Sequence, residues 1–175
     1  YFKNNETDFF IEFPKGPLSV GNEPVKEVIE KSFDTGKLKL ISPTDCIKDR
    51  LCALVYHGGE ECFSQAVAVA HLNSFDKENL INWAKKEDPL MIEKVDVLLS
   101  SVSLIQKDNI PKEEIIKYLG SKAKDFYLDI SKESDFEDLK DDLLDDYVLR
   151  QLLNIKEDSE YYTTMDTFYK KHISK

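Results

Sequence analysis

The stretch from Ile41 to Ala70 limits this chain more than any other, because it spells out a helix start, a helix stop and a second helix within thirty residues. Ser42 is a capping residue, Pro43 fits the first helical position because it has no N–H to leave unpaired, and Asp45 stands where a capping-box carboxylate belongs. A helix is therefore expected from Pro43. Ile47, Leu51, Leu54 and Val55 recur at helical spacing while Lys48 and Asp49 fall off that stripe, so one face is buried and the other charged. Gly58-Gly59 stops the helix. Phe63, Ala66, Val67 and Ala70 make the stripe of a second helix, and the small residues Ala66, Ala68 and Ala70 let the two pack as a helical hairpin.

The 175 residues, 41% of them apolar, can bury a sizeable core in one larger or two small domains. No apolar run approaches the roughly 20 residues that span a bilayer, so no membrane partner is expected. Three cysteines (Cys46, Cys52 and Cys62), an odd number confined to predicted helices, suit free thiols in a reducing cytoplasm. A formal charge of −10 speaks against nucleic acid held mainly through its phosphates, since that affinity comes from Lys and Arg. With 11 basic and 15 acidic residues through Asp88, and 13 and 19 after it, neither half is a basic module.

Along the chain, Asp8 to Phe13 is expected as a strand by its aromatic and β-branched content, with Glu12 as its one charge between Ile11 and Phe13. Val25, Val28, Ile29 and Phe33 predict a short amphipathic helix closed near Asp34-Thr35-Gly36, and Lys37 to Ile41 a second strand. Leu80, Ile81, Trp83 and Ala84 mark a helix that ends at Lys85-Lys86, and Asp88-Pro89 is the expected domain boundary. Beyond it there is no strand signal. Met91, Val95, Leu98, Val102 and Ile105 predict a long helix; Pro111 begins another that Gly120 should stop, followed by a stripe of Ala123, Phe126, Tyr127 and Ile130. Ser134 with Glu137 reads as a capping box opening a helix that runs to about Ile155, and Tyr162, Met165 and Ile173 mark a last one.

Set side by side, Phe9-Phe10-Ile11-Glu12-Phe13-Pro14, Gly16-Pro17-Leu18, the run Leu38 to Leu51 with its Ser42-Pro43-Thr44-Asp45 and Asp49-Arg50-Leu51 segments, and Gln65-Ala66 carry a resemblance. They resemble the C-terminal part of bacterial nucleotidyltransferase-like proteins of the polymerase-β-type fold, toxin-type members included, over residues 1 to about 87. The resemblance implies a partial nucleotidyltransferase-like mixed-sheet domain over 1–88; with the all-helical bundle that the periodicity predicts over 89–175, the expected fold is α+β. In such enzymes a Gly-Ser turn and a carboxylate pair hold the triphosphate and Mg²⁺, and a third carboxylate completes the metal site. Mg²⁺ wants hard oxygen ligands and neutralises charge on the attacking and leaving oxygens. Glu12 matches the third carboxylate, and the other two motifs are expected upstream of Tyr1.

The candidate residues each have a plainer reading beside the functional one. Glu12 is a catalytic metal ligand or a strand charge facing water and guarding an edge. Lys48, Asp49 and Arg50 are substrate contacts, or an ion pair on a helix surface. His57 is a substrate contact, or a cation that complements a helix C-terminus. His57, Cys62 and His71 lack zinc-site spacing, and there is no glycine-rich phosphate loop, Cys-x-x-Cys pair or nucleophile elbow. The acidic run Glu133 to Asp146 keeps apolar residues at helical spacing and reads as an amphipathic helix with an acidic outer face. Two functions follow: Mg²⁺-dependent nucleotidyl transfer from an NTP to an acceptor, given the upstream motif, or a non-catalytic, antitoxin-like interaction protein whose acidic helical half binds a protein partner.

Overall fold

The structure, a computed structural model, describes residues 2–3, 10–11, 17–59 and 61–174. Among them are three separate two-stranded antiparallel ladders and eight helices, so the chain is α+β and mostly helical. Strands β1 (Phe2–Lys3) and β2 (Phe10–Ile11) pair with each other, as do β3 (Ser19–Val20) and β4 (Glu23–Pro24). Strands β5 (Val28–Phe33) and β6 (Gly36–Ile41) form the longest hairpin. The helices are α1 (Pro43–His57), α2 (Glu61–Leu72), α3 (Lys77–Glu87), α4 (Pro89–Ile105), α5 (Lys112–Asp125), α6 (Glu133–Asp142), α7 (Tyr147–Leu152) and α8 (Asp158–His172).

Helix α1 begins where the local chemistry says it must: Ser42 Oγ accepts the Asp45 N–H at 3.1 Å, and Pro43 occupies the first turn. Gly58 closes it in the left-handed region at φ 69°. Asp76 caps α3, and its own N–H donates to Thr44 Oγ1 at 2.9 Å, which ties the starts of α1 and α3 together. Asp88 ends α3 and caps α4 by accepting the Leu90 N–H at 2.8 Å. The apolar core runs straight through this joint, from Ile47 and Leu51 on α1 through Met91 and Leu98 on α4 to Tyr161 and Met165 on α8. Each such fully buried side chain contributes about 1.5–3 kcal/mol relative to exposure.

Three expectations are corrected. The segment expected as a helix over Val25 to Phe33 is irregular to Glu27 and strand β5 from Val28. Its 25, 28, 29, 33 spacing is helical, and pairing to β6 across the Asp34-Thr35-Gly36 turn overrides it. Gly120 does not stop α5 but lies inside it, where Ile130 comes close enough that a Cβ would meet its Cδ1 at 3.7 Å. The helix ends instead at Phe126, followed by Tyr127 in the left-handed region at φ 61°. The helix expected to run to Ile155 breaks after Asp142 and restarts at Tyr147. Its start has no capping box, because Glu137 pairs with Lys140 at 2.8 Å and Lys132 holds the cap position without a side-chain bond. No helix among the described residues is long and apolar enough to cross a membrane.

Candidate functional site

A groove of about 1010 Å³ opens where α4 and α5 diverge, floored by Leu54 of α1 and Phe63 of α2 and bordered by Lys77 and Ile81 of α3. Helix α4 contributes Lys94, Ser100, Ser101, Ser103 and Leu104, and Lys107 follows just past its C-terminus. Helix α5 contributes a stripe at helical spacing: Glu114, Lys117, Tyr118, Ser121, Lys122 and Asp125. The apolar side of α5, Ile115, Leu119 and Ala123, turns into the core and so fixes which side faces the groove. Five lysines thus meet three carboxylates (Asp96, Glu114 and Asp125) around four serine hydroxyls, an inversion of the sign carried by the chain as a whole.

One wall of the groove is built on a polar cluster. Asp146, 7% exposed, caps α7 by accepting the Leu149 N–H at 2.8 Å. The Tyr118 hydroxyl donates to the same carboxylate, 2.8 Å from either oxygen, and Lys122 Nζ lies 3.4 Å from Oδ2. Burial first, and then the Asp146 carboxylate, push the Tyr118 hydroxyl far above the usual phenol range, so it stays a donor and never serves as a base near neutral pH. The Lys122 ammonium also sits 5.6 Å from the Phe63 ring centroid and 5.7 Å from that of Tyr118. A cation held this way keeps its long side chain in place at little further entropic cost, with N–H donors left over for a ligand.

The residues singled out in the sequence lie elsewhere. Lys48, 2% exposed, reaches Glu23 on β4 at 2.9 Å and Asp45 at 3.4 Å, holding the β3–β4 turn against α1. Asp49 and Arg50 pair with each other, and Arg50 Nη1 donates to Gln65 Oε1 at 3.1 Å, so the structure brings these two together with Gln65 across the α1–α2 hairpin. The Asp49 carboxylate, by hydrogen bonding, raises Arg50 above its ordinary value. His57 is exposed at the C-terminus of α1, two turns beyond Arg50. Glu12 lies outside the described residues, as does most of the strand expected around it. No group of three or more His, Cys, Asp or Glu side chains among the described residues is placed to hold a metal ion.

The groove escaped sequence reading although two signals were present. Ser100-Ser101-Val102-Ser103 brings three hydroxyls into the apolar second half of α4, and the α5 polar stripe repeats at steps of three and four. Compared with protein-family models, curated proteins and solved structures, the chain has no match.

Proposed function

We propose that the groove binds a phosphate-bearing small molecule, with a nucleoside triphosphate as the first candidate. The observation that carries this is the charge inversion: five lysines and four serine hydroxyls converge on one groove in a chain of net charge −10. Ammonium and hydroxyl donors are what phosphate oxygens accept from, and the Leu54–Phe63–Ile81 surface offers an apolar bed for the remainder of the ligand. Nucleotidyl transfer, as the resemblance implies it, would further require Mg²⁺ with Glu12 among its ligands, and Lys48, Asp49, Arg50 and His57 as substrate contacts.

Calorimetric titration with Mg·ATP, Mg·GTP and unphosphorylated adenosine tests the proposal. The triphosphates bind and adenosine does not, and Lys94→Gln and Lys117→Gln each weaken binding about 3- to 10-fold, the worth of one charge-assisted contact. Equal binding of ATP and adenosine, or variants that bind as the wild type does, would contradict it.

A second reading rests on a separate observation. Glu133, Asp138, Asp142 and Asp145 are exposed in and after α6, an acidic face suited to a basic protein partner. Lysine-rich peptide binding that survives the two groove variants but not Asp138→Asn with Asp142→Asn favours this reading instead.

A further inference from the structure

Of the four serines that line the groove, Ser101 stands apart. It lies with Leu98, Val102 and Ile105 on the buried side of α4 and is 7% exposed, whereas Ser100, Ser103 and Ser121 are exposed. Its hydroxyl makes no hydrogen bond to any described residue. Even the bond open to a helical serine, to the carbonyl four residues back, is not made at Val97, although Thr167 of α8 makes it to the Thr163 carbonyl at 2.7 Å. Among the described residues, the one buried side-chain polar atom with neither a partner nor surface of its own is Trp83 Nε1. The Ser101 hydroxyl therefore keeps some surface, and the groove is where Ser101 opens. An unpaired hydroxyl in an apolar layer costs stability, and alanine would suit both the core and the helix better.

Given the groove as a phosphate site, on which this rests, we infer that Ser101 and Lys122 anchor the phosphate and that the outer lysines gather and steer it. A phosphate oxygen is the partner the Ser101 hydroxyl lacks. Among the described residues, Lys122 is the one groove lysine whose ammonium has partners: the Phe63 and Tyr118 rings and, at 3.4 Å, Asp146. That carboxylate is already served at 2.8 Å by the Leu149 N–H and the Tyr118 hydroxyl, so its longer contact to Lys122 leaves the ammonium with donors to spare. Lys77, Lys107 and Lys117 are exposed. They give up side-chain freedom when they close on a ligand, and salt screens their charge, whereas Lys122 is ordered beforehand with its side chain 24% exposed. The hydroxyl comes from α4 and the ammonium from α5, so a phosphate held by both bridges the two helices where they diverge.

Urea unfolding and Mg·ATP binding kinetics, measured on the same variants of the full chain, test this. Ser101→Ala weakens Mg·ATP binding about 10-fold while its urea midpoint stays level or rises, a pair of opposite signs that a structural hydroxyl does not give. Ser103→Ala, exposed on the same helix, changes binding by less than about 2-fold. Lys122→Gln weakens binding about 10-fold through faster dissociation, and Lys122→Arg, which keeps the charge beside the two rings, recovers most of the loss. The loss in Lys117→Gln comes through slower association and fades as salt is raised. A lowered midpoint in Ser101→Ala overturns the inference, because the hydroxyl then has a structural partner. With the wild type binding, unchanged affinity in Ser101→Ala or in Lys122→Gln overturns it alone and leaves the groove as the site. A wild type that binds no nucleotide overturns the phosphate reading of the groove and the two anchors with it.

Discussion

At Gly21 the backbone takes φ +56°, and a Cβ placed there would lie 2.3 Å from Glu87 Oε1. That closeness has a purpose, since Glu87 accepts from the Asn22 N–H at 3.1 Å, from Asn22 Nδ2 at 3.0 Å and from the Tyr56 hydroxyl at 3.2 Å. The carboxylate latches the β3–β4 turn to α1 and α3. Gly21→Ala forces Glu87 aside and strains the turn, and we predict a loss of about 1–3 kcal/mol, read as a lower urea midpoint; an unchanged midpoint would show that the latch contributes nothing. Cys52 lies nearby, and burial, then the Glu87 carboxylate, push its thiol up to about 11, so it stays protonated and unreactive at neutral pH. At this scale the sequence was legible where a residue acts on its own neighbours, as Ser42, Pro43 and Gly58 do. It was silent about Gly21, whose partner is 66 positions away.

Among the elements, boundaries written by local caps were readable and those set at a distance were not. The start of α1 needed only neighbouring residues. The break between α6 and α7 depends on Asp146, which is held by Tyr118 and Lys122 of α5, and no window of sequence around Asp146 contains them. Strand β5 was misread for a related reason: its apolar spacing is helical, and the pairing with β6 that overrides it is not written in the segment itself. Asp146→Ala removes a helix cap and leaves both the Tyr118 hydroxyl and the Lys122 ammonium without their carboxylate. It is predicted to cost about 2–4 kcal/mol, with Tyr118→Phe costing about half as much, and thermal unfolding of the two variants checks the order. The reverse order would mean that the cap matters less than the phenol.

For the molecule as a whole, the question is how residues 17–41 are kept on a strongly acidic helical body. Beyond the covalent entry into α1, the hold includes the buried Val20 side chain of β3, the latch at Glu87 and the ion pair of Glu23 with the buried Lys48. The hydrogen bond from Lys48 keeps the Glu23 carboxyl below its ordinary value of 4.5. A depressed folded-state value means that this stabilisation is complete above the unfolded value and is lost as pH falls below about 4.5 through the folded one. Glu23→Gln should therefore lower the urea midpoint at neutral pH yet flatten its decline on acidification; parallel declines in variant and wild type would contradict this. The helical second half was readable from periodicity, and the α+β character from that together with the strand signal at Lys37 to Ile41. The groove was not, because it exists only where α4 and α5 separate, and that separation is set by tertiary packing.

Amide chemical-shift mapping during titration with Mg·ATP is the measurement to make first, since it reports both whether the ligand binds and where. Binding in the groove predicts shifts concentrated in Ser100–Lys107 and Lys117–Asp125, weakening as salt is raised because the attraction is between lysines and phosphate. Shifts confined to Asp49, Arg50, Gln65 and His57 with the groove unmoved, or no shifts at millimolar nucleotide, would contradict it.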